Sequence, residues 1–322
     1  MKKIILTSGL TIVLLLLGLF LVAGYFIGSY FVDFALLRGN AENPQAPPAA
    51  CVKILDPSMI KPTKPAYVSE KWEMTSFDGL KLVATHFSPD KPSDKWVVIV
   101  HGYGRNQQNA WYIAKPYLAH GYHVLTPDLR ASGDSEGKYL TMGVLESDDI
   151  LRWIEKIAAK EPQSRIVMHG VSMGAATVMM TAAKPLPANL VAAIEDCGYT
   201  DVYTMFSLQL KKLFDLPAFP LMDCVNIMCR IKTGFFLTDA APIKAVPQTK
   251  VPMLFIHGDA DELVPYTMMQ ELYNASGAPE KDQLTVAGAG HAAADQKEYK
   301  QYYKKVFGFI DKYTEKNKIK PF

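Results

Sequence analysis

The chain has 322 residues, 49% of them hydrophobic and 20% charged, with a formal net charge of +2. This balance suits a globular domain with a substantial core, and no block of basic residues interleaved with aromatics offers itself to nucleic acid. Nucleic acid is therefore not an expected partner.

From the N-terminus, Ile4 to Phe34 are almost all apolar, with Asp33 the only charge. At about 1.5 Å per residue such a helix exceeds the roughly 30 Å bilayer core. Met1-Lys2-Lys3 precedes it, and the excess of cytoplasmic lysine seen in membrane proteins puts these lysines inside and everything after Arg38 outside. A cleaved signal peptide usually has a shorter apolar stretch ending in an A-x-A-like site. Neither condition is met, so residues 1–37 are expected to form an uncleaved transmembrane signal anchor, with secretion as the alternative. Cys51, in Pro48-Ala49-Ala50-Cys51, has no leucine three residues before it and reads as an ordinary residue rather than a lipid-modified one. Residues 38–66 carry Pro44, Pro47, Pro48, Pro57, Pro62 and Pro65, a density that favours extended chain and reads as a tether. Residues 67–322 are long enough for one large domain.

Within that domain, Lys71 to Phe77 and Leu80 to Phe87 flank the turn pair Asp78-Gly79, which predicts an antiparallel hairpin. Short apolar runs follow at Trp96 to His101, Val124 to Pro127, Arg165 to His169, Val191 to Ile194, Met253 to His257 and Gln283 to Val286. They suit strands buried on both faces. Helical patterns at Gln107 to His120, Gly143 to Lys160 and Met173 to Ala183 alternate with them, which predicts an α/β class with a mostly parallel, doubly wound sheet. Residues 198–247 break this rhythm. They are rich in Met, Phe and Leu and are expected to form a helical cap, most of whose apolar side chains simply pack it onto the sheet. Cys224 and Cys229, inside that stretch, are close enough to pair or to remain free.

The most informative segment is Gly170-Val171-Ser172-Met173-Gly174, a G-x-S-x-G pentapeptide between a strand-like and a helix-like run. A sharp strand-to-helix turn forces the serine into strained backbone angles and brings chain segments close, so residues without bulk are needed on both sides. His101-Gly102-Tyr103-Gly104 ends an earlier strand, His257-Gly258-Asp259-Ala260-Asp261 follows a later one, and His291 lies in Gly288-Ala289-Gly290-His291. A serine hydroxyl is a weak nucleophile and needs a base, an acid to hold that base, and donors for the oxyanion. Seven histidines compete for the base. His101, His169 and His257 each precede a glycine at a strand end and read as structural, His86, His120 and His123 carry no motif, and His291 alone sits in a glycine-rich loop after the last strand. Asp196, Asp259 and Asp261 compete for the acid.

From about Trp72 to Phe309 these motifs, together with Asp128-Leu129-Arg130-Ala131-Ser132-Gly133-Asp134-Ser135, resemble α/β-hydrolases of the serine esterase and lipase type, in family order. The family usually has Gly-His where this chain has Ala131-Ser132. Glu195 to Thr200 and the N-terminal segment are similar, more narrowly, to membrane-anchored or secreted hydrolases of Gram-positive bacteria near the cinnamoyl and feruloyl esterase branch. The resemblance implies an α/β-hydrolase fold and a triad of Ser172, Asp261 and His291, the family's G-x-x-D spacing selecting Asp261. It also implies oxyanion donors at the backbone N–H groups of Tyr103 and Met173. A small-molecule ester is the implied substrate, cleaved through an acyl-enzyme, with a serine peptidase or amidase, or a non-catalytic membrane-tethered binding protein, as alternatives. No Walker loop or G-x-G-x-x-G follows a first strand, and the Asp259 loop lacks the glycine and terminal glutamate of an EF-hand. No cofactor or metal is expected.

Overall fold

The computed structural model describes residues 2–39 and 63–315. Most of the expected proline-rich tether, including Cys51, lies outside the described residues.

Eight strands form one sheet: β1 (Ser69–Thr75), β2 (Lys81–Phe87), β3 (Lys95–Val100), β4 (His123–Pro127), β5 (Arg165–Val171), β6 (Leu190–Asp196), β7 (Met253–Gly258) and β8 (Lys281–Val286). Their order is β1-β2-β4-β3-β5-β6-β7-β8. Only β2 runs against its neighbours, pairing antiparallel with β1 and β4, while β4 to β8 are parallel. The expected hairpin turns at Ser76–Gly79, where Ser76 N–H donates to the Leu80 carbonyl and Gly79 takes φ +91°.

Strand periodicity divides the core between two faces. Along β3, Val97 and Ile99 point to one side, where α2 (Gln107–Ala119) and α10 (Tyr299–Thr314) cover them with Ile113, Tyr117, Val306 and Ile310. Val98 and Val100 point to the other, beneath α3 (Glu146–Lys160) and α4 (Met173–Ala182). Ile150, Trp153, Ile154 and Ile157 are buried on α3 at the i, i+3, i+4, i+7 spacing that one helical face requires. Between β6 and β7 the expected cap contains α5 (Val202–Phe214), α6 (Leu221–Thr233) and the short α7 (Pro242–Ala245). Cys224 and Cys229 on α6 are both free thiols. Then come α8 (Tyr266–Ala275) after β7, and α9 (Ala294–Lys297) before α10.

The N-terminal helix α1 (Lys2–Leu36) contains an apolar stretch, Val13–Leu36, with a mean hydropathy of 2.1 and only 6% buried. By length and composition it could cross a membrane. Its last turns nevertheless dock on the domain. Gly24 and Gly28 face α6 so closely that a Cβ on Gly28 would lie 2.7 Å from the Cys224 carbonyl oxygen, the small-residue contact by which helices approach in membranes. Val32 and Leu36 are fully buried. Asp33 pairs with Lys232 of α6 and accepts from Tyr139 Oη at 3.0 Å. Leu140 N–H donates to the Leu36 carbonyl, Arg38 N–H to the Lys138 carbonyl, and the Arg38 guanidinium to the Gly133 and Ser135 carbonyls.

Two carboxyls end β6 in the core. Burial pushes Glu195 up to about 8 and Asp196 up to about 6. Asp196 accepts from Tyr302 Oη at 2.7 Å, and Glu195 accepts from Gly198 N–H at 3.0 Å while its other oxygen has no partner.

Two outcomes are expected. Because the folded Glu195 carboxyl holds its proton to higher pH than the unfolded chain, stability falls between the unfolded value near 4.5 and about 8 and then levels off. Glu195→Gln should therefore flatten the fall of Tm from pH 5 to pH 9 and add roughly 4 kcal/mol above pH 8; an unchanged slope in calorimetry would contradict the assignment. The second outcome concerns α1. A Cβ on Gly24 would lie 3.1 Å from Cys224 Sγ, so Gly24→Cys should oxidise to a disulfide with Cys224. With a protease site inserted between residues 40 and 62, the cut α1 should stay attached on a non-reducing gel, and its release would show that α1 does not dock there.

Candidate active site

At the end of β5 the chain reverses direction into α4 through Ser172, whose φ of 58° and ψ of −119° lie where side-chain-bearing residues are strained. Backbone crowding requires both glycines of the pentapeptide. A Cβ on Gly170 would meet the Gly174 carbonyl oxygen at 2.2 Å, and one on Gly174 would meet that of Val100 at 2.1 Å. Ser172 N–H donates to the Asp196 carbonyl at 2.8 Å, which ties the turn to β6.

The structure brings Ser172, His291 and Asp261 together. His291 Nε2 lies 2.8 Å from Ser172 Oγ, and Nδ1 lies 2.7 Å from Asp261 Oδ2. A proton on Nδ1 satisfies the carboxylate and leaves Nε2 to accept from the serine. Asp261 Oδ1 accepts from the backbone N–H groups of Leu263 and Val264, both at 2.9 Å. Burial works against its charge, but hydrogen bonds from His257 and His291 hold Asp261 well below the usual carboxylate range. Asp259 instead accepts from Gly288 N–H and is exposed. Of the three competing aspartates, only Asp261 reaches His291.

His257 is a member of this group that sequence reasoning assigned only a structural place. Its Nε2 lies 3.1 Å from Asp261 Oδ2 and 3.0 Å from the Val264 carbonyl. Burial lowers its pKa, yet Asp261 more than offsets this and the net shift is upward. The spacing His257-x-x-x-Asp261 was the available signal. Cys197 lies beside Asp261 and His291, its thiol held neutral by burial.

His101 lines the cavity at Ser172 without touching the serine, and the remaining histidines lie elsewhere. His101 Nε2 accepts from Leu129 N–H at 3.0 Å, His169 bridges Tyr117 and Tyr302, His86 and His123 stack near Trp96, and His120 pairs with Asp311.

Tyr103 and Met173 flank the serine. Met173 is the first residue of α4, so its N–H has no acceptor within the helix. The loop after β3 passes close by, since a Cβ on Gly102 would sit 3.3 Å from that of Ser172. The Tyr103 hydroxyl donates at 2.6 Å to the Ala35 carbonyl of α1, a tie that no sequence motif announces.

Two cavities meet at Ser172. One, about 410 Å³, has mixed walls, apolar at Ile99, Ile113 and Val171 and polar at Arg105, Asn109, Glu262 and Gln296. The Arg105 guanidinium has no ion pair among the described residues, and burial lowers its pKa without removing the charge. The other is an apolar slot of about 110 Å³ between α1 and the cap helices.

The family model for the alpha/beta hydrolase fold matches residues 95–222. An uncharacterized protein of Bacillus subtilis, YqkD, is 27% identical over 250 residues, which span 75% of this chain and 81% of that protein. Among solved structures, the esterase Pf2001 of Pyrococcus furiosus superposes with a TM-score of 0.63 at 23% identity, covering 77% of this chain and 92% of that one. The acylaminoacyl peptidase of Pyrococcus horikoshii gives 0.58 at 19%, covering 81% of this chain and 44% of its own. These matches do not single out the cinnamoyl or feruloyl esterase branch. Together with the sheet order of this chain, these matches show that it has the α/β-hydrolase fold.

Proposed function

We propose that the protein is a serine hydrolase that cleaves carboxylic esters through an acyl-enzyme. The observation that carries this reading is the unbroken contact from Ser172 Oγ through His291 to a buried, anionic Asp261. His291 takes the serine proton as Oγ attacks the ester carbonyl, and returns it to the departing alcohol. Water then repeats the sequence on the acyl-enzyme. We assign the developing oxyanion to the backbone N–H groups of Met173 and Tyr103, which stand on either side of the serine. The apolar slot receives the acyl part and the larger, mixed cavity receives the alcohol.

An ester is favoured over a peptide by that slot, which offers an aliphatic chain a lining almost free of polar groups. The peptidase or amidase alternative predicts turnover of acylated peptide amides instead. A binding protein without catalysis would have no use for the contact chain. We further propose that α1 is an uncleaved anchor holding the domain on the outer face of the cell membrane, because cleavage would strip Val32, Leu36 and the Asp33 ion pair from the domain.

Ser172→Ala should lose about 10⁶ in kcat against p-nitrophenyl butyrate and abolish fluorophosphonate labelling, while Asp261→Asn should lose on the order of 10⁴ and Asp259→Asn only a few-fold. Full turnover by Ser172→Ala would refute the nucleophile, and a crippled Asp259→Asn would refute the acid. If the cavity beside Arg105 holds the alcohol, Arg105→Gln should raise KM about tenfold for esters with an anionic alcohol portion and leave neutral ones nearly unchanged; equal effects on both would remove Arg105 from that role.

A further inference from the structure

The apolar slot beside Ser172 is not built by the cap alone. Phe31, Phe34 and Ala35 of α1 form one wall, and Phe206, Leu210 and Phe214 of α5 form the opposite one. The helix with the length and hydropathy of a membrane span therefore lines the substrate pocket. The slot is not sealed from the surface. The rim is marked by Phe34 and Phe214, whose rings meet edge to face with centroids 6.4 Å apart. Phe214 is partly exposed, and Leu216 and Phe219 follow it on the surface, Phe219 at 78% exposure.

Further uncovered apolar groups lie on α6 and on α1 itself. Ile227 and Ile231 are exposed on α6, one turn apart, and α6 is the helix against which Gly24 and Gly28 pack. Tyr25, Phe26, Ile27 and Tyr30 are exposed on α1 itself. A soluble monomer rarely leaves so many large apolar side chains together in water. Lipid is the occupant that fits, because the patch continues directly into the apolar stretch of α1. Ile4 to Ala23 alone supply the roughly 20 residues that a span needs, which leaves the docked turns after Gly24 for the membrane interface.

We propose that the substrate is a long-chain acyl ester of the surrounding bilayer, drawn sideways into the slot between α1 and α5 with its ester at Ser172 and the far end of its chain left in lipid. This rests on the serine hydrolase and anchor readings above. Ser172 Oγ bonds to the acyl carbon, the bond from that carbon to the alcohol oxygen breaks, and the alcohol leaves with the proton carried by His291. Water then attacks the acyl-enzyme, restores the serine and frees the fatty acid.

The test uses the full-length protein in phosphatidylcholine vesicles, with p-nitrophenyl palmitate dissolved in the bilayer and p-nitrophenyl butyrate in the water. The wild type should cleave both. Ile227→Lys with Ile231→Lys, which charges the lipid-facing side of α6, should lower the palmitate-to-butyrate ratio at least about tenfold. Phe34→Trp, which crowds the rim, should lower the same ratio by a similar factor, about tenfold or more. Fluorophosphonate labelling of Ser172 shows that each variant is folded. A ratio that stays constant in both labelled variants, or a wild type that cleaves butyrate and not palmitate, overturns the lipid inference while the hydrolase reading stands. Failure of the wild type to cleave either ester or to take the label overturns both.

Discussion

The site depends on a backbone crossing in which β5, the loop after β3 and the first turn of α4 touch without side chains between them. With carbonyl oxygens only 2.2 Å and 2.1 Å from the Cβ positions that Gly170 and Gly174 lack, even alanine would push the helix off the sheet. Ser172 is therefore held at positive φ at a cost of order 1–3 kcal/mol. Hydrogen bonds at both ends of the turn, from Ser172 N–H to Asp196 and from Ala176 N–H to Ser172, compensate. Since β3 and β6 flank β5, the same crossing sets where the Gly102 loop and the β6 end stand relative to the hydroxyl. A hydroxyl raised at the sheet edge and first-turn amides pointing past it are two consequences of one steric arrangement.

Around that crossing lie four buried carboxyls, and their neighbours decide which of them is charged. Glu195, Asp196 and Asp295 are pushed up to about 8, 6 and 7 by burial. Asp261, also buried, goes the other way because two imidazoles converge on it, with two backbone N–H groups bonded to its other oxygen. Of the four, Asp261 alone is held below its ordinary range, so a charge stands behind His291 over the widest span of pH. His257 contributes to this while remaining remote from the serine, so its role in the site is to position and ionise Asp261.

Much of this architecture was legible in the residues. Each predicted strand and helix has a counterpart, with ends displaced by a few residues, because buried parallel strands read as short apolar runs and because the turn at Ser172 needs glycines at fixed places. The departure at Ala131 has a physical expression: it takes φ 58°, a conformation in which glycine avoids the Cβ strain that alanine bears. What stayed hidden has one cause, which is that contacts between distant segments leave no periodicity. The sequence of α1 records its hydropathy but not that Ala35 would receive the Tyr103 hydroxyl, nor that Lys232, some two hundred residues later, would neutralise Asp33. Gly24 and Gly28, at an interval of four, are the visible trace of that docking.

The docking of α1 also bears on the proposed anchor. A helix that only tethers needs no fixed orientation, and a free tether would leave the position of the domain above the membrane open. Here the final turns are fixed by buried Val32 and Leu36, by an ion pair, and by strand-like pairing of Leu37 with Tyr139. The domain is thus held in one rotation about the helix axis, with the cap on the side where α1 meets α6. Phe31 and Phe34 can line the slot only in that rotation, since residues three apart share a helical face. Tyr103, bonded to the same helix and standing beside the serine, joins the loop after β3 to this wall. Attachment and pocket shape are consequently one property of the fold: loosening α1 removes a side of the slot as well as the hold on the membrane-length helix.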